Sequence, residues 1–283
     1  MNILVTGSKG QLGTAIRHAA GKSKDNYIFT GHEELDITSR EAVTAFITGH
    51  NIDVVINCAA FTNVEKAEEC ASQAELLNAV AVGYLAEAVK SRNAVLIHIS
   101  TDYVFGKESQ NTPYNEDATV SPTGIYGLSK LHGEKAVTSS GCRYLIIRTS
   151  WLYSENGHNF LNTILSLSAD RKEIKVVSDQ TGTPTYAADL AEVICRIIES
   201  RQFTEGIYHY SNEGACSWYD FAKAILKLDG KVKCSIKACN SDEFPSKVRR
   251  PAYSVLDKSK IRQTFGITIP HWFDSLEKCM RNR

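Results

Sequence analysis

The first half of the chain alternates between short apolar runs and stretches in which apolar residues recur with the period of a helix. The apolar runs predict buried strands at residues 2–6, 27–30, 54–57, 95–100 and 144–150. The helical stretches predict helices at residues 11–20, 39–50, 76–92 and 124–139. Strands that alternate with helices predict an α/β fold, because right-handed crossovers bring each strand back parallel to the last. We therefore expect a doubly wound parallel sheet of the Rossmann type.

The alternation becomes less regular after residue 150. Apolar runs predict strands at residues 174–177 and in "GIYHYS", and helices are predicted at residues 160–171, 188–201, 217–228, 258–265 and 271–283. We expect residues 1–150 to form a dinucleotide-binding domain. Residues 151–283 would then form mainly a smaller substrate-binding region, whose segments could interleave with the first domain.

The segment "VTGSKGQLG" joins the first predicted strand to the first helix and carries Gly7, Gly10 and Gly13. Its G-x-x-G-x-x-G spacing differs from the usual G-x-G-x-x-G of dinucleotide-binding loops, but the physical requirements are the same. Glycine permits the tight turn and lets the backbone approach a pyrophosphate, while the start of the helix offers unpaired N–H groups. The loop therefore predicts a dinucleotide site.

The end of the second predicted strand is where such folds distinguish the two nicotinamide dinucleotides. An acid at this point binds the ribose 2′-OH of NADH, whereas a small or basic residue admits the 2′-phosphate of NADPH. Here the strand ends in "TGH", and Glu33 and Glu34 come only afterwards. The pattern favours NADPH. Asp36 is interpreted as a contact near the adenine, with a turn or cap residue as the alternative.

The pattern Tyr-x-x-x-Lys occurs three times, at Tyr103 and Lys107, at Tyr126 and Lys130, and at Tyr219 and Lys223. The first pair follows a strand end and spans a glycine, which disfavours a helix. The third lies late in the chain, on a helix whose other residues are typical of packing. Only the second is predicted both on a helix, where positions four apart share a face, and beside the carboxyl ends of the strands.

Thr101, at the end of the fourth predicted strand, is expected to face the same crevice as Tyr126 and Lys130. This set suits the reduction of a carbonyl by hydride, in which the carbonyl oxygen needs a proton. A tyrosine of ordinary pKa is a slow proton donor, and a nearby ammonium makes the transfer easier. We interpret Tyr126 as the acid, Lys130 as the residue that tunes it and anchors the ribose, and Thr101 as the group that orients the carbonyl.

Composition narrows the partners. The 283 residues contain 32 basic and 32 acidic side chains, so charge gives no reason to expect binding to nucleic acid or to acidic membranes. No apolar stretch approaches the length of a bilayer span, and the N-terminus lacks the features of a signal peptide. The eight cysteines are scattered, as is typical of reduced, buried thiols. We expect a soluble protein of the cytoplasm.

Several segments taken together resemble one known family: "TGSKGQLG", "NCAAFTNVEKAE", "STDYVF", "YGLSKLHGE", "RTSWLY", "DQTGTPT" and "RRPAYSVLD". Over nearly the whole chain and in the same order, they resemble dTDP-4-dehydrorhamnose reductases, which are extended short-chain dehydrogenases. "STDYVF" and "YGLSK" also occur in related nucleotide-sugar epimerases and dehydratases. The last three segments narrow the resemblance to the reductases.

The resemblance implies reduction of the 4-keto group of dTDP-6-deoxy-L-lyxo-4-hexulose to dTDP-L-rhamnose, with NADP(H) as cofactor and NAD(H) as the alternative. It implies cofactor contacts at Gly7, Gly10, Gln11, Leu12, Asp36, Ile37, Ala59, Ala60, Tyr126 and Lys130. It implies substrate contacts at Thr101, Asp102, Tyr103, Trp151 and Arg250. Asn78, Asn159 and Gln180 are weaker candidates.

One departure from the family concerns a metal. Some members bind Mg²⁺ at a dimer interface through glutamates, and two of these positions align with Ala15 and Ala188 here. Alanine cannot ligate a hard cation. We therefore expect no metal site, and a chain that is a monomer or a weak homodimer.

Two other functions remain open from the sequence. A related nucleotide-sugar epimerase or dehydratase is one, although a dehydratase commonly needs Asp-Glu after the threonine, and this chain has Asp102 and Tyr103 there. A non-catalytic NADP-binding regulatory subunit is the other. The complete set of Thr101, Tyr126 and Lys130 argues against it.

Overall fold

The computed structural model of the chain describes residues 1–106, 110–230, 233–244 and 246–283. Its strands are β1 (Asn2–Thr6), β2 (Asn26–Thr30), β3 (Val54–Asn57), β4 (Val95–Thr101), β5 (Arg143–Thr149), β6 (Leu152–Tyr153), β7 (Glu173–Val177), β8 (Thr181–Gly182), β9 (Thr185–Tyr186), β10 (Gly206–His209), β11 (Cys216–Ser217) and β12 (Ser235–Cys239). Its α-helices are α1 (Gln11–Ala19), α2 (Arg40–Gly49), α3 (Val64–Glu69), α4 (Ala71–Glu75), α5 (Ala81–Ser91), α6 (Ile125–Ser140), α7 (Phe160–Asp170), α8 (Ala187–Ser200), α9 (Trp218–Asp229), α10 (Ser259–Phe265) and α11 (Trp272–Arg281).

Six strands form a parallel sheet in the order β10-β5-β4-β3-β1-β2. The chain runs outward from β1 to β2, then crosses back over β1 to β3 and continues in the other direction. The strand order therefore reverses between β1 and β3, and ligands of such sheets bind beyond the carboxyl ends at this reversal. The predicted α/β fold with a doubly wound parallel sheet is confirmed.

The sheet is buried on both faces, as its continuous apolar strands require. On one face, Ile3 and Val5 pack with α1, α8 and α10. On the other, Leu4 and Val55 pack with α2, α5 and α6. Ser39 accepts a hydrogen bond from the Ala42 amide and caps α2.

Elements of the second half form a further apolar cluster around Tyr153, Tyr186 and Phe221, with α7, α9 and α11 packed on it. Here β7 pairs in parallel with β12. The strand predicted in "GIYHYS" is β10, and it pairs with β5 at the edge of the main sheet. A late segment of the chain thus completes the early sheet.

Several elements differ from the sequence prediction, which did not include the short helices α3 and α4 or the two-residue strands β6, β8, β9 and β11. The helix predicted at residues 76–92 begins with a π-helical turn, Leu76–Val80, before α5. The strand β12 was not predicted, because only Ile236 and Cys239 of its five residues are buried and the apolar signal is weak. Within the described residues, no helix is both long and apolar enough to cross a membrane.

Candidate active site

A cleft of about 770 Å³ lies at the carboxyl ends of β1, β3, β4 and β5. It brings together fourteen of the fifteen predicted site residues: Gly7, Gly10, Gln11, Leu12, Asp36, Ile37, Ala59, Ala60, Thr101, Asp102, Tyr103, Tyr126, Lys130 and Trp151. Arg250 is the one predicted residue that does not line it. Residues distant in sequence therefore meet at the edge where the sheet topology places a ligand.

The glycine loop lies unusually close to the end of β3. Gly7 has φ +62°, and a Cβ there would be 2.6 Å from the Ala59 amide nitrogen. At Gly13, a Cβ would be 2.6 Å from the carbonyl oxygen of Gly7. In the described part of the chain no side chain caps the start of α1, so its first N–H groups are available to an anion. The loop thus fits the pyrophosphate of a dinucleotide.

Gln11 links this loop to the second half of the chain. Its Oε1 accepts hydrogen bonds from Ser154 Oγ (3.0 Å) and Asn159 Nδ2 (2.8 Å). Asn159 also caps α7 through the Asn162 amide. The side chain of Asn159 therefore holds α1 and α7 together, and it is not among the residues that line the cleft.

Asp36 lines the cleft and is also a turn residue. Its Oδ1 accepts hydrogen bonds from the Thr38 amide (2.9 Å) and the Thr38 hydroxyl (2.7 Å), which lower the pKa of the carboxyl. Asp36 can therefore be both a turn residue and a contact near the adenine, because its hydrogen bonds within the turn use only one carboxylate oxygen.

Thr101 and Tyr126 form the polar centre of the cleft. The Thr101 hydroxyl accepts a hydrogen bond from the Tyr103 amide (3.2 Å) and donates one to Asp102 Oδ1 (3.1 Å). Burial raises the pKa of Tyr126, and a hydrogen bond with Thr101 partly offsets this. The ring of Tyr103 meets that of Tyr126 edge to face, with centroids 5.5 Å apart.

Asp102 is buried beside this pair, and its surroundings disfavour the ionised carboxylate. Burial raises its pKa from 3.8 to about 6, although hydrogen bonds with Ser254 and Thr101 oppose the change. Burial likewise raises the pKa of Tyr103 to about 12. The cleft therefore has a low effective dielectric around its hydroxyl groups.

Lys130 lies beneath Tyr126 and is almost fully buried. Its Nζ donates to the Ile99 carbonyl oxygen (2.7 Å) and lies 3.5 Å from His98 Nε2. Burial lowers its pKa from 10.5 to about 8, while the nearby Glu134 opposes the shift. The amine is therefore held in place by strand β4.

His98 and Asn57 were not predicted as site residues. Asn57 Oδ1 accepts from the Thr6 hydroxyl (2.7 Å) and the Ala59 amide (3.3 Å), so its Nδ2 is the atom facing His98 Nδ1 at 3.1 Å. His98 Nδ1 is then an acceptor, and the neutral ring carries its proton on Nε2, toward Lys130. The sequence feature that could have pointed to these two residues is a polar side chain within or at the end of an apolar run, Asn57 in "VVIN" and His98 in "VLIHIS".

A buried ion pair braces the same region from below. Arg148 donates from Nε and Nη2 to Glu134 Oε1 and Oε2 at 2.9 and 2.7 Å. Ser100 Oγ also donates to Glu134 Oε1 at 2.5 Å. The carboxylate of Glu134, on α6, thereby joins β4 and β5 directly behind Thr101.

Trp151 has a left-handed backbone, φ +47°, where the chain leaves β5. Its indole stacks on Trp218 with centroids 3.5 Å apart, and a Cβ built on Gly182 would be 2.5 Å from its Cε2. These neighbours cover part of the indole, which is half-buried and also lines the cleft.

Arg250 lies near the mouth of the cleft. Its Nη2 is 3.6 Å from Glu65 Oε1, and its charge opposes the rise in the pKa of Tyr103. The charge of Arg250 therefore acts on the side of the cleft that Tyr103 lines.

The other candidates lie elsewhere. Asn78, in the π-helical turn, bonds the amide and carbonyl of Phe61 and the Ser129 hydroxyl. Gln180 donates to the Ser241 hydroxyl. Tyr219 is on α9, outside the cleft, and Lys107 of the remaining pair lies outside the described residues. Among the described residues there is no cluster of three or more potential metal ligands from His, Cys, Asp and Glu.

The whole chain, residues 1–283, matches the model of a family described as RmlD substrate binding domain. The chain belongs to this family. A dTDP-4-dehydrorhamnose reductase from Aggregatibacter actinomycetemcomitans is 37% identical over 97% of this chain and 97% of its own length. These comparisons confirm the resemblance inferred from the sequence.

Two solved members of the RmlD family have the same fold over the full chain. The dTDP-4-dehydrorhamnose reductase of Clostridium acetobutylicum is 40% identical, with a TM-score of 0.95 over 100% of this chain and 99% of its own. That of Bacillus anthracis, solved in complex with NADP, is 35% identical, with a TM-score of 0.95 and the same coverage.

Proposed function

We propose that the chain reduces the 4-keto group of dTDP-6-deoxy-L-lyxo-4-hexulose, giving dTDP-L-rhamnose, with NADPH as the hydride donor and NADH as the alternative. The observation that carries this proposal is the meeting of Thr101, Tyr126 and Lys130 in one cleft with the glycine loop. The family supports the nucleotide-sugar substrate.

Tyr126 is the proposed proton donor. A reduced nicotinamide would supply a hydride to the carbonyl carbon, so the carbonyl oxygen gains an electron pair and takes the phenolic proton. Burial raises the pKa of Tyr126, so its hydroxyl is protonated at neutral pH but is a weak acid until a positive charge stabilises the phenolate. The products are the alcohol and a phenolate that is reprotonated from solvent.

Thr101 is proposed to orient the ketone. Its oxygen is held by the Tyr103 amide and Asp102, and this fixed position lies within hydrogen-bonding reach of Tyr126. To polarise the ketone, the one hydroxyl hydrogen would turn from Asp102 to the carbonyl oxygen, while the Tyr103 amide keeps the Thr101 oxygen in place.

Lys130 is proposed to anchor the ribose of the dinucleotide and to stabilise the phenolate of Tyr126. Its Nζ donates to Ile99 and retains two further hydrogens as an ammonium. In a buried site a positive charge near a phenolate acts strongly, because the effective dielectric is low.

The substrate is proposed to contact Asp102, Tyr103, Trp151 and Arg250. Arg250 suits a diphosphate, which a guanidinium can bind with two parallel hydrogen bonds. For this it would leave Glu65, an exchange between two partly exposed partners that costs little. We further propose a cytoplasmic enzyme that is a monomer or a weak homodimer.

The test is oxidation of NADPH, and of NADH in parallel, by the purified chain with the dTDP-4-keto sugar generated in situ. The loss of reduced nicotinamide absorbance and the formation of dTDP-L-rhamnose should coincide. A chain that binds a dinucleotide but oxidises neither would refute the catalytic proposal and favour a regulatory subunit. Oxidation only with a different nucleotide-sugar ketone would refute the assigned substrate.

A further inference from the structure

The tip of β2 is the point where a dinucleotide-binding sheet reads the adenosine ribose. The strand ends at Thr30, and the next residue, Gly31, lines the cleft. Gly31 has no side chain with which to bind a ribose hydroxyl. From residues 30–32 alone, this position favours NADPH.

The structure places a carboxylate at this tip from a residue further along the chain. The chain turns back after Gly31, with the Leu35 amide donating to the Gly31 carbonyl oxygen at 3.0 Å. This turn brings Glu34 Oε2 to 2.7 Å from the Gly31 amide nitrogen. A Cβ built on Gly31 would lie 2.9 Å from the same oxygen. The carboxylate of Glu34 therefore occupies the space of the missing side chain.

The ammonium of Lys9 near this tip is already paired with carboxylates. Lys9 lines the cleft, and its Nζ lies 3.2 Å from Glu33 Oε2 and 3.7 Å from Glu34 Oε1. The nearest nitrogen of His32 is 3.7 Å from Asp36. The ammonium of Lys9 is thus shared between the carboxylates of Glu33 and Glu34. A 2′-phosphate would meet repulsion there, whereas a 2′-hydroxyl would meet an acceptor.

We propose that Glu34 contacts the adenosine ribose and keeps NADH usable beside NADPH: it accepts a hydrogen bond from the 2′-hydroxyl of NADH and weakens the binding of the 2′-phosphate of NADPH. The inference rests on the proposed function for the presence of a nicotinamide dinucleotide. Glu34 keeps one oxygen on the Gly31 amide and has further acceptor positions for the ribose. It is a specificity-determining residue, placed away from the proton-transfer groups.

The experiment measures the Kd of the full chain for NADPH and for NADH, by the fluorescence of the reduced nicotinamide at one ionic strength and without sugar. Glu34→Gln retains an oxygen that can accept from Gly31, so the turn should persist. We expect this variant to bind NADH more weakly and NADPH more tightly, changing the ratio of the two Kd values about tenfold. Glu33→Gln removes the same charge from a more exposed neighbour, and we expect it to change the ratio less than about twofold.

Three outcomes would overturn the inference. One is a ratio that Glu34→Gln leaves unchanged. Another is an equal change in Glu33→Gln, which would show a general charge effect. The third is tighter binding of NADPH by Glu34→Gln with the binding of NADH unaltered, which would show that Glu34 makes no hydrogen bond to the ribose. If the unsubstituted chain bound neither dinucleotide, the proposed function itself would fail, and this result is distinct from the other three.

Discussion

Tyr126 combines two properties that a buried proton donor needs. Burial keeps its hydroxyl protonated, and Thr101, whose oxygen accepts from the Tyr103 amide, lies within hydrogen-bonding reach of it. Proton donation from a positioned side chain commonly contributes a factor of about 10² to 10⁴ in rate. Removal of the phenolic hydroxyl should therefore lower the turnover rate while leaving dinucleotide binding largely unchanged.

Tyr126→Phe is expected to lower kcat by at least about 10²-fold and to change the Kd for the reduced dinucleotide much less. Tyr219→Phe is the matched control, because Tyr219 has the same Tyr-x-x-x-Lys spacing but lies on α9 outside the cleft. Steady-state turnover and fluorescence titration of each variant provide the two readouts. If Tyr126→Phe turned over at the rate of the control, the assignment of the proton donor would be wrong.

We expect the buried carboxyl of Asp102 to destabilise the fold at neutral pH, where it would be ionised. The pKa of this carboxyl is about 6 in the folded chain and 3.8 in the unfolded chain. The free energy of unfolding therefore falls as the pH rises between these two values. Above about pH 6 the full cost of the buried charge remains. Asp102→Asn removes the ionisation and retains an acceptor for Thr101. We expect it to raise the free energy of unfolding by about 2 kcal/mol at neutral pH and by little below about pH 4.

Urea unfolding of Asp102→Asn at the two pH values checks this expectation. Asp189→Asn is the contrasting variant, because the Asp189 carboxylate is buried but accepts from Asn212, Ser275 and Lys278. Removing that charge should destabilise the fold at neutral pH. A loss of stability in Asp102→Asn at neutral pH would contradict the prediction.

At the residue scale, the groups with a sequence motif could be predicted, and the groups around them could not. Thr101 and Lys130 were identified by spacing and position. His98 was not, because a single histidine in a strand is no pattern, and its contact with Lys130 depends on how α6 packs over β4. Glu34 was not predicted to contact the ribose, because three residues separate it from the end of β2. Only the turn after Gly31 brings its carboxylate back to the strand tip.

At the scale of elements, the Glu134–Arg148 pair joins α6 to β4 and β5 beneath the reacting groups. Both side chains are only 3% exposed. Taking such charges out of water is costly, and their mutual attraction repays the cost only while both partners are present. The pair therefore makes the position of α6, and so of Tyr126 and Lys130, depend on two residues outside the cleft.

Arg148→Met is expected to lower the free energy of unfolding by roughly 3 to 5 kcal/mol, because Glu134 is left buried and unpaired. The double variant Arg148→Met with Glu134→Leu removes both charges and should recover much of that loss. Urea unfolding curves of the two variants make the comparison. Equal stability of the single and double variants would show that the isolated carboxylate is not the cause.

Helices and strands with continuous apolar patterns were predictable, and those with interrupted patterns were not. The runs that became β1, β3 and β4 have buried residues at nearly every position, so their signal is strong. The π-helical turn Leu76–Val80 was missed because the sequence there reads as an ordinary helix. The turn is accompanied by the three hydrogen bonds of Asn78 to Phe61 and Ser129, which are long-range contacts.

At the scale of the whole molecule, the two halves of the chain are interlinked. The strand β10 extends the sheet of the first half, and α8 packs on α1. Gln11 adds a polar link between the glycine loop and α7. The boundary at residue 150 remains a prediction. These contacts indicate that residues 151–283 support the sheet and the glycine loop of the first half.

The face formed by α1 and α8 carries both positions at which the resemblance led us to expect no metal ligand. Ala15 and Ala188 both line a second cleft there, of about 840 Å³, so the two positions that departed from the pattern lie in one place. Carboxylates are the ligands a hard cation needs, and alanine offers none.

We therefore expect Mg²⁺ to leave the assembly of the chain unchanged. Sedimentation velocity in MgCl₂ and in excess EDTA should give the same mass distribution, dominated by the 31.3 kDa monomer at low concentration. Any dimer should appear gradually as the protein concentration rises, by mass action. Because a metal-supported dimer would dissociate when the ion is removed, a stable dimer that EDTA converts to monomer would contradict the assignment and would require ligands other than residues 15 and 188.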